Sequence, residues 1–214
     1  MPGPSDNFID SLVQDLKPVR RLRPRTAVGF TLAALVVAMA LPAAFLALRE
    51  DILGGNLTPM FMLTSGLFLV LAVAASYTVI DMARPLVGNR HDGWAWAAAA
   101  VALLPAGACL KALFTWLRGA ELVIHADGVL CLTVGTSLAV LLGAVLTFWL
   151  RRGAPTSPER AGLLTGVAAG SLGMFAFGLY CASDDLMHVG VWHVLVVIVS
   201  AGLGRMIVPR LIRW

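Results

Sequence analysis

Two cysteines and two histidines are the side chains best suited to chemistry in this sequence. Cys131 opens the fourth of six long apolar runs and Cys181 closes the fifth. Each stands three or four residues from an acid in the adjoining connection, Asp184 and Asp127, so the two thiols lie at matching depth. His188 and His193 follow beside Asp184 and Asp185, and His125 precedes Cys131. Two thiols at one depth can close a disulfide in an oxidising compartment, and with imidazole they can bind a soft metal transiently. Plain alternatives stand beside these. Cysteine packs as a small buried apolar residue, and histidine at a span end is an interfacial side chain. No CxxC or other tight ligand spacing is present, and on that ground His188 and His193 read more readily as interfacial residues than as ligands. Cys109 lies deeper on the third run and stands apart.

What must position these groups is a set of apolar runs at about 26–48, 59–80, 94–115, 129–150, 161–181 and 190–208. Each is close to the ~20 residues that cross a hydrocarbon core of ~30 Å at 1.5 Å per residue. With 59% hydrophobic and 13% charged residues the chain is far from a soluble composition. The runs lack period-2 alternation, which excludes a β-barrel and leaves an all-α bundle of six transmembrane helices. The first run is longer than a signal peptide's apolar core and follows some 25 hydrophilic residues, so it reads as an uncleaved signal anchor. Thirteen of the sixteen Lys and Arg residues fall on the side that holds both termini; only Arg49, Lys111 and Arg118 fall on the other. That bias predicts cytoplasmic N- and C-termini in a bacterial inner membrane, with outer connections near 49–58, 116–128 and 182–189. The basic balance is thereby a topology signal, and no direct nucleic-acid contact is expected.

The spans themselves offer little chemistry. Asp81 and Lys111 sit near span ends, where Lys111 can snorkel, and no ionisable group lies at mid-depth, which weighs against a coupled transporter. A small-solute permease or channel and a thiol-redox membrane enzyme remain as rival classes, the second weakened by the absent CxxC. No nucleophile–base pair, phosphate loop or HExxH motif is present, and no enzyme activity is expected. Gly162, Gly166 and Gly170 form a small-xxx-small face on the fifth run, expected to pack inside the bundle rather than between copies. Trp94, Trp96, Trp116, Trp149, Trp192 and Trp214 fall near span ends and read as an interfacial belt. Pro42 and Pro105 are expected to kink their helices.

Ahead of the first span, Phe8, Ile9, Leu12, Val13 and Leu16 form a helical apolar stripe, with Asp6, Asp10, Gln14 and Asp15 off it. Ser5 is a plausible N-cap, and Pro18 ends the segment. An acidic polar face is unsuited to anionic lipid, which points instead to a protein partner held in a helix-in-groove mode.

The string from Phe8 to Pro24, which contains Asp15-Leu-Lys-Pro-Val-Arg-Arg-Leu-Arg-Pro24 directly before the first span, resembles the NrsF family of membrane anti-sigma factors. Six spans in about 210 residues and the later pattern Tyr180-Cys181, His188-Val189 and Trp192-His193 extend the resemblance over the whole chain. It implies that residues 1–25 are a cytoplasmic segment holding a sigma-F-type extracytoplasmic-function sigma factor, and that 26–214 form the membrane domain. Phe8, Ile9, Leu12, Val13, Asp15, Leu16, Arg20, Arg21 and Arg23 are the binding residues so implied. It further implies that Cys131 and Cys181 sense metal or oxidative stress, with no resident cofactor and no assigned role for Cys109. Membrane lipid is the second expected partner, and the oligomeric state stays open.

Overall fold

The computed structural model describes residues 13–14, 22–84, 93–121 and 128–213. Its regular elements are helices: α1 (Pro24–Ala40, continued by a 3-10 turn Leu41–Ala44), α2 (Glu50–Leu53), α3 (Pro59–Met82), α4 (Gly93–Leu117), α5 (Gly128–Arg151), α6 (Pro158–Gly178) and α7 (Leu186–Ile212). Six of them, all but the short α2, are long and apolar enough to cross a membrane. Their starts are written in the chain. Proline occupies the first turn of α1, α3 and α6, where its missing N–H would have no intrahelical partner anyway. The Thr58 hydroxyl additionally caps α3 by accepting from the Phe61 amide at 3.2 Å.

The architecture centres on α6, the least apolar and most buried of the six long helices. A helix that faces lipid needs large apolar side chains, whereas one surrounded by other helices needs small ones that let backbones approach. Gly162, Gly166 and Gly170 face α7, and a Cβ added to Gly166 would stand 2.1 Å from the Ser200 carbonyl oxygen. The glycine stripe is thus an internal contact, as expected. Gly173 opens the opposite approach, towards Gly135 and Ala139 of α5. Around this axis α3, α5 and α7 form the next layer, while α1 and α4 lie outermost, with Val36, Trp96 and Leu103 among their exposed apolar residues.

Several expectations are corrected. Trp149 is 6% exposed and donates its indole N–H to the Ile80 carbonyl at 3.3 Å, so it fastens α5 to α3 inside the bundle instead of standing in an interfacial belt. Trp96 and Trp116 are exposed, and Trp214 lies outside the described residues. Pro42 does not kink a continuing helix: it initiates the 3-10 turn in which α1 ends, because it has no N–H to extend the α-helical ladder. Pro105 does lie within α4, and Pro209 within α7 is a further one. Helix α6, the fifth of the long apolar helices, stops at Gly178, leaving Cys181 in the connection beyond it.

Candidate functional site

The connection 179–185 between α6 and α7 gathers the chemistry of the chain. It carries Cys181 and ends at Asp185, whose carboxylate caps α7 by accepting from the His188 amide at 3.4 Å. His188 completes the first turn. The next five residues, Val189–His193, form a π-turn before the helix resumes. In an α-helix, residues five apart diverge by ~140° at 3.6 residues per turn. The wider turn returns His193 to the side of His188, and the two ring centroids stand 5.3 Å apart, edge to face. Gly190 makes the turn fit, because a Cβ there would meet the Leu104 carbonyl oxygen of α4 at 2.6 Å.

Cys131, in the first turn of α5, approaches from the other side. Its sulfur is 3.7 Å from the Cys181 sulfur and 3.2 Å from His188 Nε2, and Cys181 Sγ is 3.5 Å from the same nitrogen. Each of Cys131, Cys181, His188 and His193 offers a ligand atom within 4.8 Å of the others, and all four are buried. The expectation that Cys131 and Cys181 lie together at one depth therefore holds geometrically. The reading of His188 and His193 as interfacial residues does not, since they are only 7% and 5% exposed and face the thiols. The signal missed in the sequence was the i, i+5 spacing, which is a ligand spacing only when a π-turn intervenes. Cys109 is exposed and apart from the cluster. His125 and Asp127 lie outside the described residues.

This donor set suits a soft or borderline metal. Two thiolates ~2.3 Å from a tetrahedral ion stand ~3.8 Å apart, and thiolate and imidazole donors ~3.6 Å apart; the distances here already approach both. His193 Nε2 is buried without a hydrogen-bond partner, a donor atom whose desolvation is uncompensated by the protein. The Cys181 thiol is held below the ordinary thiol range by the Cys131 sulfur first and by both imidazoles, against the opposing effect of burial. A cavity of about 300 Å³ reaches the cluster, lined by Leu46, Leu130, Tyr180, Ser183 and Asp185 together with Cys131, Cys181 and His188. For the same sulfurs a disulfide at ~2.05 Å requires closing by about 1.7 Å from 3.7 Å.

A charged layer braces the connection. Arg49, which the sequence places only on the outer side, is 6% exposed. Its guanidinium donates to Asp51 at 2.8 Å, to Asp184 at 3.0 Å and to the Cys181 carbonyl at 2.6 Å, and stacks over Phe61 at 4.7 Å. Thr58 donates to Asp184 at 2.6 Å. Lys111 of α4 pairs with Asp185, so it serves as a structural partner as well as reaching the span end. Arg49 holds the Asp51 carboxyl below the usual carboxylate range, and Lys111 does the same for Asp185.

At the opposite end of the bundle, Arg84 pairs with Asp81 at 3.6 Å beside a second cavity that Arg25 also lines, and Arg205 pairs with Glu159 at 3.6 Å. Arg23, just before α1, is exposed, and Val13 is 57% exposed. Phe8, Ile9, Leu12, Asp15, Leu16, Arg20 and Arg21 lie outside the described residues.

No solved structure matches the chain significantly. It is 26% identical over 202 residues to the "Probable anti-sigma-F factor NrsF" of Azospira oryzae, covering 92% of this chain and 91% of that one. It is also 25% identical over 218 residues to the "Anti-sigma-F factor NrsF" of Caulobacter vibrioides, covering 98% and 99%. Residues 12–214 match the family described as NrsF, negative regulator of sigma F, and with nearly the whole chain accounted for in this way, the protein belongs to the NrsF family.

Proposed function

We propose that this protein is an integral inner-membrane anti-sigma factor that holds a sigma-F-type extracytoplasmic-function sigma factor at the cytoplasmic face and releases it when the outer-face thiols meet metal or oxidant. The observation that carries the sensing half is the convergence of Cys131, Cys181, His188 and His193 within 4.8 Å. The Lys/Arg bias orients the cluster outward, and it leaves the Arg-rich end and the N-terminal segment inside. In that segment the stripe Phe8, Ile9, Leu12, Val13 and Leu16 docks in a groove of the sigma factor, with Asp15, Arg20, Arg21 and Arg23 forming the polar margin.

Magnitude selects the kind of trigger. Driving occupancy from 1:99 to 99:1 requires about 5.5 kcal/mol of differential free energy. A surface contact is too weak, whereas structural zinc sites deliver roughly 10–16 kcal/mol. Cys131, Cys181, His188 and His193 would hold a soft metal, each thiol giving up its proton on binding. Alternatively, the two thiols surrender two electrons and two protons to a hydroperoxide, which leaves as alcohol and water, and a disulfide joins the sulfurs. The four-donor set favours metal, because a disulfide uses only half of it.

The test is affinity purification of the protein from membranes, with mass spectrometry of bound proteins before and after Cd(II) treatment. Recovery of a sigma factor that Cd(II) releases is the expected result. Membranes that yield no sigma factor would sink the assignment.

A further inference from the structure

The connection that carries Cys181 is fastened at Tyr180 to the end of α1, and at Leu179, Cys181 and Asp184 to Arg49 in the segment that follows α1. The Tyr180 hydroxyl donates to the Met39 carbonyl at 2.5 Å. That carbonyl lies in the last turn of α1, where main-chain oxygens lose their α-helical donors as the helix gives way to the 3-10 turn begun at Leu41 and Pro42. The Arg49 amide donates to the Leu179 carbonyl at 3.1 Å, and the Arg49 guanidinium takes the Cys181 carbonyl at 2.6 Å. Residues 179, 180 and 181 are thus each bonded to α1 or to the segment that follows it. Leu46, in that same segment, lines the cavity that leads to the thiols.

α1 is also suited to move. Its buried residues are Ala27, Thr31 and Ala38, all small, and the Thr31 hydroxyl is satisfied within its own helix by the Ala27 carbonyl at 2.9 Å. Its large side chains that touch the core, Leu35 and Met39, are only partly buried, so α1 is held less tightly than the central α6 and a small axial shift or rotation displaces fewer close contacts. By contrast α6 and α7 are interlocked through backbone contacts at Gly162, Gly166 and Gly204. A displacement of Cys181 is therefore passed to the loose helix rather than absorbed by the tight pair.

We propose that Tyr180 and Arg49 are positioning residues that couple the thiol cluster to α1, so that drawing Cys181 towards an ion or towards Cys131 displaces α1 and, through it, the N-terminal segment. This inference rests on the sensing function proposed above and names its route. The bonds at issue are to main-chain carbonyls, so the coupling works through helix position and requires no titration and no contact between the ligand and α1.

The test separates route from sensor. Purified full-length protein in lipid nanodiscs is titrated with Cd(II), followed by thiolate charge-transfer absorption, and hydrogen exchange of the α1 end amides is read with and without the ion. Sigma-dependent reporter induction is measured in cells. In wild type, Cd(II) binds and exchange changes in the last turn of α1. Tyr180→Phe, which removes only a hydroxyl, binds Cd(II) within about twofold of wild type, still represses, and loses about fivefold in induction, the effect of one hydrogen bond of ~1 kcal/mol. Arg49→Lys keeps the positive charge but lacks the fork that reaches Asp51, Asp184 and Cys181 together, and it loses more. Unchanged α1 exchange in Cd(II)-bound wild type overturns the coupling without needing any variant. So does full induction in Tyr180→Phe. Absence of Cd(II) binding in wild type overturns the sensor and the coupling with it.

Discussion

Replacing Gly166 by alanine puts the sharpest demand on this architecture. The added methyl would sit 2.1 Å from the Ser200 carbonyl oxygen, 2.6 Å from Ala201 Cα and 2.7 Å from the Ser200 carbonyl carbon, all main-chain atoms that no rotamer change can remove. Relief requires α6 and α7 to separate by about 1 Å, and a radial gap of 0.5–1 Å forfeits a quarter to a half of each van der Waals well along the contact. Overpacking typically costs 1–3 kcal/mol, and a clash with rigid backbone belongs at or above the upper end, so we expect a loss of about 3 kcal/mol or more. At about 2–4 °C per kcal/mol for a chain of this size, the apparent melting temperature in detergent falls by about 6–12 °C. Gly202→Ala is the matched control on α7: nothing lies within 4 Å of its added Cβ, and alanine is the better helix former by ~1 kcal/mol. It should be neutral or slightly stabilising. Because α6 leads to Cys181 and α7 bears His188 and His193, Gly166→Ala should also weaken Cd(II) binding while Gly202→Ala does not. Equal melting temperatures for the two variants would refute the close α6–α7 approach on which the site depends.

Other expectations follow from the same geometry. Cys131→Ser and Cys181→Ser should each repress but fail to respond to metal or oxidant, the double variant should be no worse than either single one, and Cys109→Ser should be nearly silent; reporter induction with differential thiol alkylation decides this. Leu12→Asp and Leu16→Asp should abolish sigma-factor capture in pull-downs with membrane insertion intact, because a charge in an apolar docking stripe is desolvated without compensation; normal repression by both would remove the docking helix. The Asp185 carboxyl is depressed by Lys111, so the stability it contributes is present above the ordinary carboxylate value of ~3.8 and is lost as pH falls through the lowered folded-state value. Lys111→Met should therefore flatten the acid limb of a melting-temperature–pH profile, and an unchanged limb would dismiss the pair. Thiol-reactive labels placed at Asp51, Gly119 and Asp184 in a background lacking the three native cysteines should react from the outside of intact cells; reaction only after permeabilisation would invert the topology.

Much of the fold was legible because the relevant free energies are local. A run of twenty apolar residues favours hydrocarbon whatever its neighbours are, and Lys/Arg bias, proline at helix starts and the glycine stripe of α6 act through short stretches of chain. The matching depth of Cys131 and Cys181 is of the same kind, since depth is counted along each span. The stripe of Phe8, Ile9, Leu12, Val13 and Leu16 is a reading of the same local kind, and all of it but Val13 lies outside the described residues.

Rotation about each helix axis is different, because it depends on which faces meet. Whether Trp149 faces lipid or the Ile80 carbonyl depends on the α3–α5 contact, which no property of residue 149 contains. Arg49 reads only as a cation of an outer connection until Asp51, Asp184 and the Cys181 carbonyl, two of them more than a hundred residues away in sequence, converge on its guanidinium. His188 and His193 read as interfacial until a π-turn, seated against α4 at Gly190, swings both rings towards the thiols. The chain on its own therefore specified which segments are apolar and where along them each polar group falls. Tertiary packing alone decided which polar groups face one another, because burial depth is a one-dimensional quantity while the assembly of a four-donor site requires azimuth, and azimuth is set by long-range backbone contacts.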